Sequence, residues 1–114
     1  DKGLIMMHRI LATAAACATL AAPAIAMDDL EQLRIATELG SVLASEEICG
    51  LTYDQAAIGA FIEQTVPADA MGFAANLQMM TVGAAYNAQT MTASAKTAHC
   101  ASIRQTARHY GFVK

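Results

Sequence analysis

Glu46-Glu47-Ile48-Cys49-Gly50-Leu51-Thr52-Tyr53-Asp54-Gln55 is the stretch on which the reading of this chain turns. It closes one apolar-periodic segment, supplies a cysteine and opens the next segment within a few residues. Gly50 suits the left-handed position just past a helix end. Thr52-Tyr53-Asp54-Gln55 has the form of a capping box, in which Thr52 takes the amide of Gln55 and Gln55 reaches back. Cys49 finds its natural partner in Cys100, near the middle of the last helical segment. The expected architecture is therefore all-α: a small four-helix domain, residues 27–114, in which one Cys49–Cys100 disulfide ties the end of the first helix to the last.

The chain has 114 residues, 55% hydrophobic and 15% charged, enough for one small domain. Much of the apolar content lies before residue 27. Met7-His8-Arg9 is a short basic region, Ile10 to Leu20 is an apolar run of 11 residues, and Pro23 precedes the small-x-small sequence Ala24-Ile25-Ala26. That order defines a secretory signal peptide over residues 1–26, expected to form a helix. Residues 1–5 read as upstream translation or an expression remnant, with the start at Met6 or Met7. The run is too short for a membrane span, which needs about 20 apolar residues. Cys17 as a lipid-modified cysteine is the weaker alternative, because Ala14-Ala15-Ala16 does not match the leucine-rich box expected before it. Retention of the segment as an uncleaved anchor is a second alternative. Nothing downstream is long and apolar enough to leave a transmembrane segment after cleavage. The expected location is the periplasm.

Residues 27–114 keep two of the three cysteines. In an oxidising compartment an even pair defaults to a disulfide. Closing a loop of 51 residues contributes about 4 kcal/mol in the chain-entropy model, as much as the core of so small a domain supplies. The same residues carry nine acids, all at or before Asp69, and five bases, of which Lys96, Arg104, Arg108 and Lys114 come late. A net charge of −4 gives no support for nucleic-acid binding.

Asp28 suits the N-cap of the first helix, with Asp29 and Glu31 at its positive end. Leu30, Leu33, Ile35, Leu39, Val42, Leu43 and Ile48 recur at spacings of three and four and predict its buried face. Gly40 reads as a mild weakness within it. Ile58, Phe61, Ile62 and Val66 mark a second helix that Pro67 stops. Asp69 is the expected cap of a third helix, with Gly72 dividing a short first turn from the rest. Its expected face is Met71, Ala74, Leu77, Met80, Ala84 and Met91, with Phe73, Met79 and Val82 nearby. Gly83-Ala84-Ala85 suggests a close helix approach. The last helix starts at Thr92 or Ser94 and places Lys96, Cys100, Ile103, Ala107 and Tyr110 on one side. Gly111-Phe112 gives it a Schellman ending, with Phe112 folded back on Ala107.

Chemistry-bearing motifs are sparse. His99 and Cys100 are adjacent, so on a helix they point about 100° apart and cannot form a dyad. Cys49 with His99 or His109 stays geometrically open, but the disulfide accounts for both thiols. There is no Gly-x-Ser-x-Gly elbow, His-Glu-x-x-His pair or phosphate-cradling glycine loop. Cys49, His99, Cys100 and His109 lack the Cys-x-x-Cys spacing of a metal site, and the two histidines lie about 80° apart around the helix. Met71, Met79, Met80 and Met91 suit copper(I), yet methionines at this spacing more often fill a core. No metal and no cofactor is implied. Arg104 and Arg108, one turn apart, are the candidate anion or partner contact. Glu46 or Glu47 is the expected acidic partner of Arg104. The Ala-rich and Met-rich faces suit a homo-oligomer as well as an unknown protein partner.

The run Leu33-Arg34-Ile35-Ala36-Thr37-Glu38-Leu39-Gly40, the stretch Cys49 to Ile58, Val66-Pro67-Ala68-Asp69, Leu77-Gln78-Met79-Met80-Thr81, Ala93 to Cys100 and Tyr110-Gly111-Phe112 together resemble small exported proteins of alphaproteobacteria, mainly the rhizobial group. Some members carry the label "signal recognition particle". An acidic, exported chain without a GTPase loop or a basic RNA-binding face does not fit that label. The resemblance implies an exported small protein and no activity. A looser similarity, in size and cysteine number alone, is to the acid-stress chaperones of the enterobacterial periplasm. Their first cysteine closely follows a tryptophan, which this chain lacks. The leading expectation is a non-catalytic exported protein that works by binding a partner or the envelope. An acid-stress chaperone is the alternative, and an enzyme or metal-binding protein comes third.

Overall fold

The computed structural model describes residues 27–114. The expected signal peptide, with Cys17 and the cleavage site, lies outside the described residues. Within them the chain forms four helices: α1 (Asp29–Ala44), α2 (Gln55–Thr65), α3 (Phe73–Ala88) and α4 (Ala93–His109). No strand occurs among the described residues. None of these helices is long and apolar enough to cross a membrane.

Helix α1 starts as its sequence dictates. The Asp28 carboxylate accepts the Glu31 amide at 2.7 Å and satisfies one of the free first-turn donors. Its buried face is Ile35, Ala36, Leu39, Gly40 and Val42. Ile35, Leu39 and Val42 are as expected, but Leu30 and Leu33 are exposed, at 76% and 39%. The small residues Ala36 and Gly40 replace them at the core, because α1 lies mainly against α3 and the two backbones run close. A Cβ on Gly40 would sit 3.0 Å from both Met80 Cβ and the Thr81 amide nitrogen. Gly83, where close approach was expected, has nothing within 4 Å of such a Cβ. The helix contact thus falls on the other helix's glycine.

Helix α1 ends at Ala44, four residues short of the expected Ile48, and a turn over residues 45–50 follows. Two paired bonds close that turn: Gly50 N–H to Glu47 O at 3.0 Å and Leu51 N–H to Glu46 O at 2.8 Å. This is the Schellman pattern, and Gly50 holds its left-handed position at φ 65°. The same pattern ends α4. Gly111 N–H bonds Arg108 O at 3.0 Å and Phe112 N–H bonds Ala107 O at 2.9 Å, with Gly111 at φ 78°.

The capping box does not form. Asp54, not Thr52, is the N-cap of α2, and its carboxylate accepts the Ala57 amide at 3.2 Å. The Gln55 side-chain amide instead donates to the carbonyl two residues back, Tyr53 O, at 3.3 Å. A carboxylate at a helix's positive end outcompetes a hydroxyl two residues earlier. Pro67 does stop α2, with Val66 already extended at ψ 119°. Asp69 does not cap α3: it contributes its backbone carbonyl to the Met71 amide, and Gly72 is the N-cap without a side-chain bond. The turn before Gly72 is separate from α3, as expected. Met71, placed on the buried face by its spacing, is 89% exposed because it lies in that turn, ahead of the helix. Thr92 caps α4 through the Ala95 amide at 3.2 Å.

Gly40 faces Met80 and Thr81, while Ser41 and Ser45 share a cleft with Ala84 and Asn87, so α1 and α3 run in the same direction. Ser45 meets His99 and Glu38 meets Tyr110, so α4 runs back along α1. Phe112 is the hub of the other end of the core. It is wholly buried, and its ring lies 5.8 Å from Tyr53, 5.9 Å from Phe61 and 5.5 Å from Tyr110. Its carbonyl accepts the Asp54 amide at 2.8 Å, so the chain's last residues also fix the entry to α2.

Candidate functional site: a cationic cleft over the disulfide

The turn after α1 delivers Cys49, and the middle of α4 delivers Cys100. The two are bonded, with Cα atoms 5.3 Å apart, and both side chains are buried. Neither thiol is available as a nucleophile or a metal ligand. Among the described residues no three of His, Cys, Asp and Glu converge to hold a metal ion.

Beside the bridge opens a cleft of about 390 Å³. The disulfide, Ile48 and Ala93 give it apolar surface, and Lys96, Thr97 and Arg104 give it polar surface. Lys96, Cys100 and Arg104 are four residues apart, so they form one ridge along α4, with the sulfur between the two cations. Residues 93–114 contain four Lys and Arg and no acid. Among the described residues the side-chain ion pairs are those of Arg34 with Glu31 and Glu38, at 2.8 and 3.0 Å, on the surface of α1. Lys96 and Arg104 therefore line the cleft without an acidic partner there.

The expected pairing of Glu46 or Glu47 with Arg104 is absent. Glu46 Oε2 accepts the Tyr53 amide at 2.6 Å, and Glu47 is exposed. The turn that follows Gly50 presents this amide to Glu46, and a fixed backbone donor at short range wins over a mobile guanidinium. Arg104 lines the cleft; Arg108, one turn on, is exposed and lies outside it.

On the other side of Cys100 is a feature the sequence reading missed. Ser45 Oγ lies 2.8 Å from His99 Nε2, in a cleft of about 210 Å³ lined also by Ser41, Ala84, Asn87 and Met91. Ser45 Oγ is also 2.7 Å from the Ser41 carbonyl. A carbonyl only accepts, so the hydroxyl hydrogen goes to Ser41 O and His99 Nε2 donates to Ser45. This is the reverse of what a base does to a nucleophile. The arrangement closes α1 instead: the Ser41 carbonyl, left free at the helix end, takes the Ser45 hydroxyl, and the Val42 carbonyl takes the Ser45 amide and the Tyr53 hydroxyl. The bridge itself was the available signal. Ser45 is one turn before Cys49 and His99 is next to Cys100, so closing the disulfide brings them together.

No family model matches the chain, and no curated protein or solved structure is similar to it.

Proposed function

We propose that this is an exported, non-catalytic binding protein whose Lys96–Arg104 cleft receives an anionic group carried by a partner or by an envelope component. The observation behind this reading is the cleft beside the disulfide, where two cations stand without an acidic partner among the described residues of a chain that has more acids than bases. A buried bridge between distant segments is consistent with an oxidising compartment. Arg108 adds positive field one turn beyond the cleft. The apolar surface beside the cations favours an anion with a hydrocarbon body over a bare ion. Titration with inorganic phosphate and with dodecyl phosphate, followed through the Thr97 and Arg104 amide resonances, tests it. Dodecyl phosphate should bind at least tenfold tighter than phosphate, and Lys96→Gln/Arg104→Gln should abolish both responses. Equal responses in wild type and variant would remove the reading.

A second reading, an acid-stress chaperone, draws on where the carboxylates sit. Asp28 and Asp54 cap two helices, Glu46 holds the Tyr53 amide, and Glu38 accepts the Tyr110 hydroxyl at 2.8 Å. Each contact is a hydrogen bond accepted by a carboxylate oxygen, so loss of the carboxylate charge in acid weakens all four together. Dye-detected apolar surface appearing below about pH 4 supports this role, and a fold unchanged to pH 3 excludes it.

A further inference from the structure

Helix α3 and its flanks are the one long part of the domain without charge: residues 70–95 contain no Asp, Glu, Lys, Arg or His. The inward face of α3 is accounted for by Phe73, Leu77, Met80, Ala84 and Ala88, the first and last of which are buried. Its outward face is apolar as well. Met79, Val82 and Tyr86 are 61%, 64% and 70% exposed, and their spacing of three and four places them in one row. Single exposed apolar residues are ordinary on a protein surface; a row of three large ones on an uncharged helix is a docking face. Gly83 stands beside the row with open space where a Cβ would be. A second helix can approach closely there.

We infer that this face binds the same face of a second copy, making a two-fold dimer through α3. Charge selects the occupant. Residues 27–114 carry a net −4, and every other helix presents exposed charge: Asp29 and Arg34 on α1, Glu63 on α2, Arg104 and Arg108 on α4. In a two-fold contact a face meets its own copy, so the basic α4 or the acid-rich start of α1 would set like charges together. Meeting through α3, each offers the other an uncharged surface of the same length, as an isologous contact requires. A helix of 16 residues is about 24 Å long. The row with its small neighbours covers roughly 500–600 Å² per copy, somewhat under the ~800 Å² of a standard interface. An interface at this low end of the size range makes a concentration-dependent dimer.

The test is sedimentation of the chain as recovered from cells, with its disulfide closed, from about 1 μM to 1 mM. Wild type should pass from monomer to dimer across that range. Val82→Glu should weaken association at least tenfold with unchanged helical circular dichroism, and so should Val82→Lys. An equimolar mixture of the two should recover dimer, which a general loss of folding or solubility would not allow. Leu30→Glu, on the exposed part of α1, should dimerise as wild type does. A wild-type monomer at 1 mM overturns the inference, whether the face is bare, covered by the chain's own N-terminal segment or reserved for another protein. A Val82→Glu variant that dimerises undiminished overturns it too.

Discussion

Tyr53 shows how much one side chain settles here. Its ring packs on Phe112, its hydroxyl donates to the Val42 carbonyl at 2.8 Å and its amide donates to Glu46. Burial, then the nearby Glu46 charge, pushes its phenol up to about 12. Tyr110 is raised to about 12 as well, by burial and then by its hydrogen bond to Glu38. Both shifts are upward, so the stability they represent is complete below the free-phenol value, about 10, and is lost as pH rises to about 12. Unfolding free energies from urea titration should be flat from pH 8 to 10 and then fall by about 1–3 kcal/mol at pH 12, less than two full shifts because Tyr110 is only half-buried. Tyr53→Phe should flatten part of that fall. At the same scale, the caps separate two readings of one tetrapeptide. Asp54→Ala should cost about 1 kcal/mol, and Thr52→Ala less than about 0.5, by equilibrium denaturation. The reverse order would restore the capping box. The carboxylate is the better cap, but a Thr-x-x-Gln pattern around it hides that.

Among the elements, α1 and α3 each hold a glycine at mid-helix, and the two have opposite meanings. Hydropathy periodicity finds large apolar residues and passes over Gly40, which lets the helices touch. Gly40→Ala gains about 1 kcal/mol of helix propensity. It also places a methyl 3.0 Å from the Thr81 backbone, which cannot rotate away. The net should be a loss of about 1–2 kcal/mol, read as a lowered denaturation midpoint. Gly83→Ala, with nothing near its Cβ, should raise the midpoint of the monomer by about 0.5–1 kcal/mol. Which glycine marks a contact was not readable from either helix alone. Two adjacent small residues after Gly83 looked like the closer approach, and the turn before Gly72 left Met71 exposed rather than packed. The apolar row on the outer face of α3 was likewise legible as residues but not as a surface.

For the whole molecule, the bridge and the aromatic cluster divide the work of joining distant segments. Cys49 and Cys100 are 51 residues apart and join the end of α1 to α4. Phe112 gathers Tyr53, Phe61 and Tyr110 near the entry to α2 and the end of α4. Cys49→Ser/Cys100→Ser should therefore lose about 2–4 kcal/mol, measured against the oxidised chain in urea. It should also loosen the Ser45–His99 contact, because the bridge joins the turn to α4 four residues from Ser45 and one from His99. A reduced chain as stable as the oxidised one would mean the aromatic end carries the fold alone. Phe112 was readable as a helix-ending contact with Ala107, but not as the centre of a cluster that gathers the rings of Tyr53 and Phe61 from other segments.

Local chemistry was enough for the all-α class, the Asp28 cap, a start of α4 at Thr92 or Ser94 and the two left-handed glycines; the cysteine count added the Cys49–Cys100 pairing. Helix ends are decided by which side chain or backbone group within five residues satisfies a free amide or carbonyl, and that information is contiguous in the chain. Tertiary structure alone decided that α1 and α3 run in the same direction, that Glu46 serves Tyr53 instead of Arg104, that Ser45 meets His99 and that Arg104 shares its cleft with Lys96. Each of those depends on where two helices cross. A crossing is set by the fit of small against large side chains from segments far apart, and no window along the sequence contains both sides.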